Sequence, residues 1–164
     1  MTACLSALLA VPPVAPAEVA FRHVVGDAVN PQHPHCKGAG DLDGDGRTDL
    51  VVASAGGGGL FWYRWPDWTK HRLADGAFTT DLAVADVTGD GCPDVVVPND
   101  QGLQLYRNPR GRGGDPARDA WEPINLGAAG ARMHDVRVAD LDGDGRLDVV
   151  TRHQSGFGKQ LGNA

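Results

Sequence analysis

Three segments of this 164-residue chain align without a gap: Asp41-Leu-Asp-Gly-Asp-Gly-Arg-Thr-Asp49-Leu-Val-Val, Asp86-Val-Thr-Gly-Asp-Gly-Cys-Pro-Asp94-Val-Val-Val and Asp140-Leu-Asp-Gly-Asp-Gly-Arg-Leu-Asp148-Val-Val-Thr. Each is an acidic, glycine-containing turn that runs straight into a β-branched stretch, the pattern of a loop feeding a strand. Their first aspartates stand 45 and 54 positions apart. That period is too long for a coil of a β-solenoid and suits a four-stranded propeller blade.

The repetition reaches beyond the loops. Gly59-Leu-Phe-Trp-Tyr-Arg-Trp-Pro66 matches Gly102-Leu-Gln-Leu-Tyr-Arg-Asn-Pro109, and Trp68-Thr-Lys-His-Arg-Leu73 matches Trp121-Glu-Pro-Ile-Asn-Leu126. Alternating runs precede the loops at Asp81–Asp86 and Asp135–Asp140, with Cys36–Asp41 a degraded copy. The expected fold is all-β: a partial β-propeller of four-stranded antiparallel blades, two complete and part of a third, over residues 18–164. Strands are predicted near 37–41, 49–54, 60–65 and 68–74, then 81–86, 94–98, 103–108 and 121–126, then 135–140 and 148–153. Residues 19–25, a looser copy of the outer element, read as an orphan fourth strand. Residues 109–120 lengthen the second repeat and read as a solvated, mobile insertion.

Carboxylates at positions 1, 3 and 5 of a tight turn converge on one point, and a hard cation such as Ca²⁺ takes six to eight oxygen ligands. The first loop then offers Asp41, Asp43, Asp45, the Arg47 carbonyl and Asp49. The second offers Asp86, Thr88, Asp90, the Cys92 carbonyl and Asp94, and the third Asp140, Asp142, Asp144, the Arg146 carbonyl and Asp148. About three calcium sites follow, the one at 86–94 weakest because Thr88 replaces a carboxylate. An EF-hand is excluded: position 12 would need a bidentate Glu and is Val52, Val97 or Thr151, and the flanks are β-patterned.

The loops also explain the charge. They hold eleven of the 21 carboxylates behind the net −6, and the ten acids elsewhere are outnumbered by 15 Lys and Arg. No basic run or basic-aromatic groove is present, so nucleic acid is not an expected partner. Cys4, Cys36 and Cys92 show no paired spacing for disulfides or zinc. Residues 1–17 hold an apolar stretch ending in Ala15-Pro16-Ala17, a cleavage-like tripeptide, and suggest export to the cell envelope or outside. Nothing is long enough to span a bilayer.

The Asp-Leu-Asp-Gly-Asp-Gly-Arg-x-Asp motif, with an alternating strand before it and Val-Val after it, resembles the FG-GAP and VCBS repeats. These build the propellers of integrin α-subunits and of many exported bacterial proteins. The Phe-Gly…Gly-Ala-Pro signature is absent, so the bacterial type is the nearer match. The resemblance implies calcium in the loop between a blade's first two strands, with a structural role.

Function is expected elsewhere. In a propeller the opposite face usually carries the ligand, which singles out His35, Asp81, His134 and Asp135 at equivalent places on neighbouring blades. They could bind a second metal or act in acid–base chemistry, or simply bond the backbone at strand ends. Phe61 and Trp65, which match Gln104 and Asn108, are the aromatic candidates for stacking on sugar rings. No nucleophile elbow, zinc-protease helix or phosphate loop is found. Two functions remain: a non-catalytic module binding carbohydrate or protein, or a piece of a propeller-fold polysaccharide lyase or hydrolase. The chain stops where the third blade's next strand should start, which points to a truncated ring. Its open edges would be completed by missing blades of the same chain or by self-association.

Overall fold

The computed structural model describes residues 22–29, 31–79, 81–99, 101–127 and 133–153. The export-like segment 1–17 and Thr80 lie outside them. Among the described residues, ten strands form three antiparallel sheets. The first sheet runs β1 (Pro34–Gly40), β2 (Asp49–Ser54), β3 (Gly59–Arg64) and β4 (Thr69–Ala74) in sequential order. The second repeats it with β5 (Ala83–Ala85), β6 (Asp94–Asn99), β7 (Gly102–Arg107) and β8 (Glu122–Asn125). The third is the hairpin β9 (Met133–Ala139) and β10 (Asp148–His153).

Every aspartate loop joins the first strand of a sheet to the second. Position 9 of each loop is the first residue of the second strand. It pairs across the hairpin with the residue just before the loop or next to it: Asp49 with Gly40, Asp94 with Ala85 and Asp148 with Ala139. The hairpin register therefore fixes the ends of the loop before any side chain contributes.

The sheets pack face to face. Strand alternation sends Val95 and Val97 into a core shared with Leu42, Val51, Ala53, Leu60 and Trp62 of the first sheet. Val96, between them, turns to the other side and packs with Leu103, Leu105 and Val136 against the third sheet. Burial on both faces explains why β6 reads as an unbroken apolar run and not an alternation. Each fully buried valine contributes roughly 1.5–3 kcal/mol of hydrophobic stabilisation. Strand β1 lies beside β5 and β5 beside β9, so the first strands of the three sheets form a row.

Two expectations are corrected. Residues 22–25 form no strand, while 19–21 fall outside the described residues. The neighbouring Asp27 instead ties this segment to the first sheet, accepting from Tyr63 Oη and Lys70 Nζ, each at 2.8 Å. The stretch 109–120 is not a freely solvated insertion but a folded connector. Asn108 caps a single 3₁₀ turn at Pro109–Arg112, and Gly113 closes it in the left-handed region at φ 77°. Pro116 is buried and accepts from the Trp121 indole at 3.0 Å, while Ala117 packs on the core.

Candidate metal centres in the aspartate loops

The three loops share one backbone design. Glycines at positions 4 and 6 all have φ between 71° and 85°, which L side chains rarely adopt. This lets successive N–H groups turn inward onto the position-1 carboxylate. Asp41 accepts from Gly44 N at 2.7 Å, Asp45 N at 3.1 Å and Gly46 N at 2.9 Å. Asp86 accepts from Asp90 N and Gly91 N, and Asp140 from Gly143 N and Gly145 N. Position 5 caps position 7 in the same way: Asp45, Asp90 and Asp144 accept from the N–H groups of Arg47, Cys92 and Arg146. The loops are thus shaped by their own carboxylates.

Position 9 pins each loop to its strand. Asp49, fully buried, accepts from Leu42 N at 3.1 Å and from Trp65 N at 2.9 Å. Burial pushes its carboxyl above the usual value, as does the nearby Asp43 charge, against the opposing backbone bonds from Trp65 and Leu42. Asp94 does the same in the second sheet, accepting from Asn108 N at 2.9 Å and from Thr88 N at 3.1 Å, and burial raises it too. Asp148 accepts from Leu141 N at 3.0 Å but lies exposed.

The loops diverge in where their charge goes. Ligand oxygens of Asp41, Asp43 and Asp49 lie within 4.8 Å of one another, as do those of Asp140, Asp142 and Asp144. At an effective dielectric of about 20, two like charges near 4 Å repel by roughly 4 kcal/mol, so such a group calls for a cation. Asp43 Oδ2 is buried without a well-aligned hydrogen bond, and the Arg64 guanidinium beside it, Nε at 2.5 Å, is half exposed. In the third loop Arg146 reaches back to Asp144 Oδ2, with Nη2 at 2.8 Å, in a largely exposed pair of little energetic weight.

The second loop forms no such group among the described residues. Thr88 stands at position 3, and its hydroxyl donates to Asp94 Oδ2 at 3.0 Å, so both oxygens of Asp94 are engaged. Asp90 faces Arg107, whose Nη2 and Nε lie 3.0 and 3.3 Å from one oxygen. Burial alone would raise the Asp90 carboxyl, but the bonds from Arg107 and the Cys92 N–H outweigh it and hold it below the usual range. Arg107 is the repeat-equivalent of Arg64. Its partner is position 5 here and position 3 in the first loop.

The donor sets of the first and third loops are all hard carboxylate oxygens on preshaped turns. This fits a calcium-type cation and offers none of the nitrogen or sulfur ligands zinc prefers. Asp45 lies outside the first convergent group and Asp148 outside the third.

At the other end of the first strands, the candidate residues are engaged locally. Asp81 accepts from Val136 N at 3.1 Å and Arg137 Nη1 at 2.5 Å, joining the second sheet to the third. His134 Nδ1 lies 3.0 Å from Asp135, which also pairs with Arg152. His35 is exposed, and among the described residues its side chain joins neither group. Phe61 is not an open platform: it is 6% exposed, with Lys70 and Arg72 over its ring at 4.6 and 4.8 Å. Trp65 is half-buried, edge-on to Trp68 at 5.0 Å. Buried Cys36 donates to the Thr79 carbonyl, and burial, helped by the charge of Asp81, pushes its thiol up to about 12. It is no nucleophile at neutral pH.

The family profile described as FG-GAP-like repeat matches residues 41–97 and 86–151, so each match opens on an aspartate loop. Among characterised proteins, the rhamnogalacturonan endolyase YesW of Bacillus subtilis (strain 168) is 35% identical over 98 residues. The matched region covers 51% of this chain and 16% of that enzyme.

Proposed function

Because the chain belongs to the FG-GAP-like repeat family, we propose that it is a calcium-held β-propeller segment of an exported protein that binds or acts on carbohydrate. The observation that carries this reading is the convergence of Asp41, Asp43 and Asp49 on a turn already shaped by its own backbone. The row of first strands and the face-to-face sheets support the propeller, with the third sheet contributing two strands of a blade. Further blades would cover the outer apolar residues Leu50, Leu141 and Val150, which are 41%, 65% and 46% exposed.

Asp41, Asp43 and Asp49 would hold one cation and Asp140, Asp142 and Asp144 a second. Bound there, the metal supplies charge neutralisation, and its binding free energy adds to folding free energy. Export is supported by the composition of residues 1–17, and no helix among the described residues is long and apolar enough to cross a membrane.

The carbohydrate assignment rests on the partial similarity to an endolyase, and this favours a second reading in which the chain is part of a polysaccharide lyase. A glycan array together with an ultraviolet assay for unsaturated sugars separates the two. Retention without new absorbance supports a binding module. Release of unsaturated product supports the lyase. Neither signal on any acidic or neutral plant polysaccharide overturns the carbohydrate reading.

A further inference from the structure

The 109–120 connector belongs to the second sheet, yet it lies across the aspartate loop of the first. Asn108, fully buried, makes the link. Its Nδ2 donates to the Leu42 carbonyl at 2.9 Å and to the Pro93 carbonyl at 3.0 Å. Its backbone N–H donates to Asp94 Oδ1 at 2.9 Å, and its Oδ1 accepts from Arg110 N at 3.0 Å. One amide thus joins position 2 of the first loop, position 8 of the second and the cap of the connector. The repeat-equivalent residue in the first sheet, Trp65, keeps only the backbone bond to position 9.

The connector then presses on both loops. A Cβ on Gly44 would lie 1.9 Å from Arg110 Nη2, and one on Gly111 would lie 1.9 Å from Asp90 Oδ2. The Arg110 guanidinium therefore lies against Gly44 of the first loop, and the connector backbone at Gly111 lies against Asp90 of the second. Between connector and first loop a cleft of about 480 Å³ remains, lined by Asp43, Asp45, Arg64, Arg110, Asp115 and Pro116 among others.

The geometry points to Asn108 as a positioning residue for the cation site at 41–49, a clamp through which the second sheet sets the metal affinity of the first. The inference rests on that loop being a cation site. Leu42 is both the acceptor for Asn108 and, through its N–H, a pin for Asp49. A loop held at Leu42 by a neighbouring sheet has fewer conformations to lose on binding. The third loop has no such cover among the described residues, and its residues 140–148 are all exposed.

The test is terbium luminescence excited through tryptophan. Trp62 borders the same cleft as Asp43 and Asp45, while the second sheet has Leu105 at that place, so the signal reports the first loop. Asn108→Ala is expected to weaken terbium binding about tenfold, the loss of one buried hydrogen bond expressed as affinity. Val96→Ala, a core truncation on the face of the second sheet turned away from the first loop, should leave it unchanged. Equal affinity in the Asn108→Ala and parent proteins overturns the clamp, as does an equal loss in Val96→Ala, which would show a general stability effect. If Asn108→Ala does not fold, Asn108→Ser decides alone, and unchanged affinity there overturns the proposal. A parent protein that gives no terbium signal refutes the cation reading itself, a different failure.

Discussion

The loops at 41–49 and 86–94 have the same length, the same glycine conformations and the same buried aspartate at position 9, yet they handle charge in opposite ways. The first gathers three carboxylates within reach of one another. The second spends its acids internally: Asp94 on Thr88 and Asn108, Asp90 on Arg107. One substitution at position 3 accounts for much of the difference. Thr88 is a donor where Asp43 is an acceptor, so it bonds across the loop and does not repel its neighbour. The equivalent arginines then part ways, Arg64 to position 3 and Arg107 to position 5. A repeat scaffold can therefore keep its turn while replacing a convergent acidic group with one answered by an internal arginine.

The largest expected effect tests what the loops share. Without calcium, Asp49→Ala and Asp94→Ala should each cost about 2–4 kcal/mol in urea unfolding, since each leaves buried backbone N–H groups unpaired. A cost below about 1 kcal/mol for either would break the claim of a common scaffold. The next tests what differs. Calcium at roughly 100 times its Kd should stabilise the parent by about 2.7 kcal/mol, or about 5–10 °C in Tm, for each of the two sites. Asp43→Ala should remove about half of the total rise, and Asp90→Ala should leave it nearly intact.

The smallest effects sharpen the role of the internal arginine. Arg107→Ala should cost about 1 kcal/mol or less, as expected for a partly exposed pair. It should also shift the acid limb of the unfolding curve. The lowered Asp90 carboxyl contributes stability that is fully present above the ordinary value of 3.8 and lost as pH falls through its lower folded value. Without Arg107 the folded value moves back up toward 3.8, so this contribution shrinks and the curve falls less steeply with acid. An acid limb unchanged in Arg107→Ala would contradict the hold of the internal cation on Asp90.

The strand pattern was readable because the repeat is written twice. Every predicted strand from 37 onward appears within a few residues of its place, the alternation and β-branched runs being local signals. The connector was not readable, because Gly- and Arg-rich composition describes a loop in isolation and says nothing of what it lies against. Asn108 shows the limit most clearly. Aligned with Trp65, it suggested a position open to solvent, but the amide is buried and its polarity is used for bonds to Leu42 and Pro93. Phe61 failed the same way, its ring covered by Lys70 and Arg72 from the adjacent strand. The first loop's acids were legible from spacing alone. The exclusion of Asp45 from its convergent group and the role of Arg107 depend on tertiary geometry.

The most direct test is a calcium titration by calorimetry on metal-free protein. The account predicts two equivalents, lost one at a time in Asp43→Ala and Asp142→Ala, with no change of stoichiometry in Asp90→Ala. Three equivalents, one of them removed by Asp90→Ala, would contradict it, and so would no binding at all.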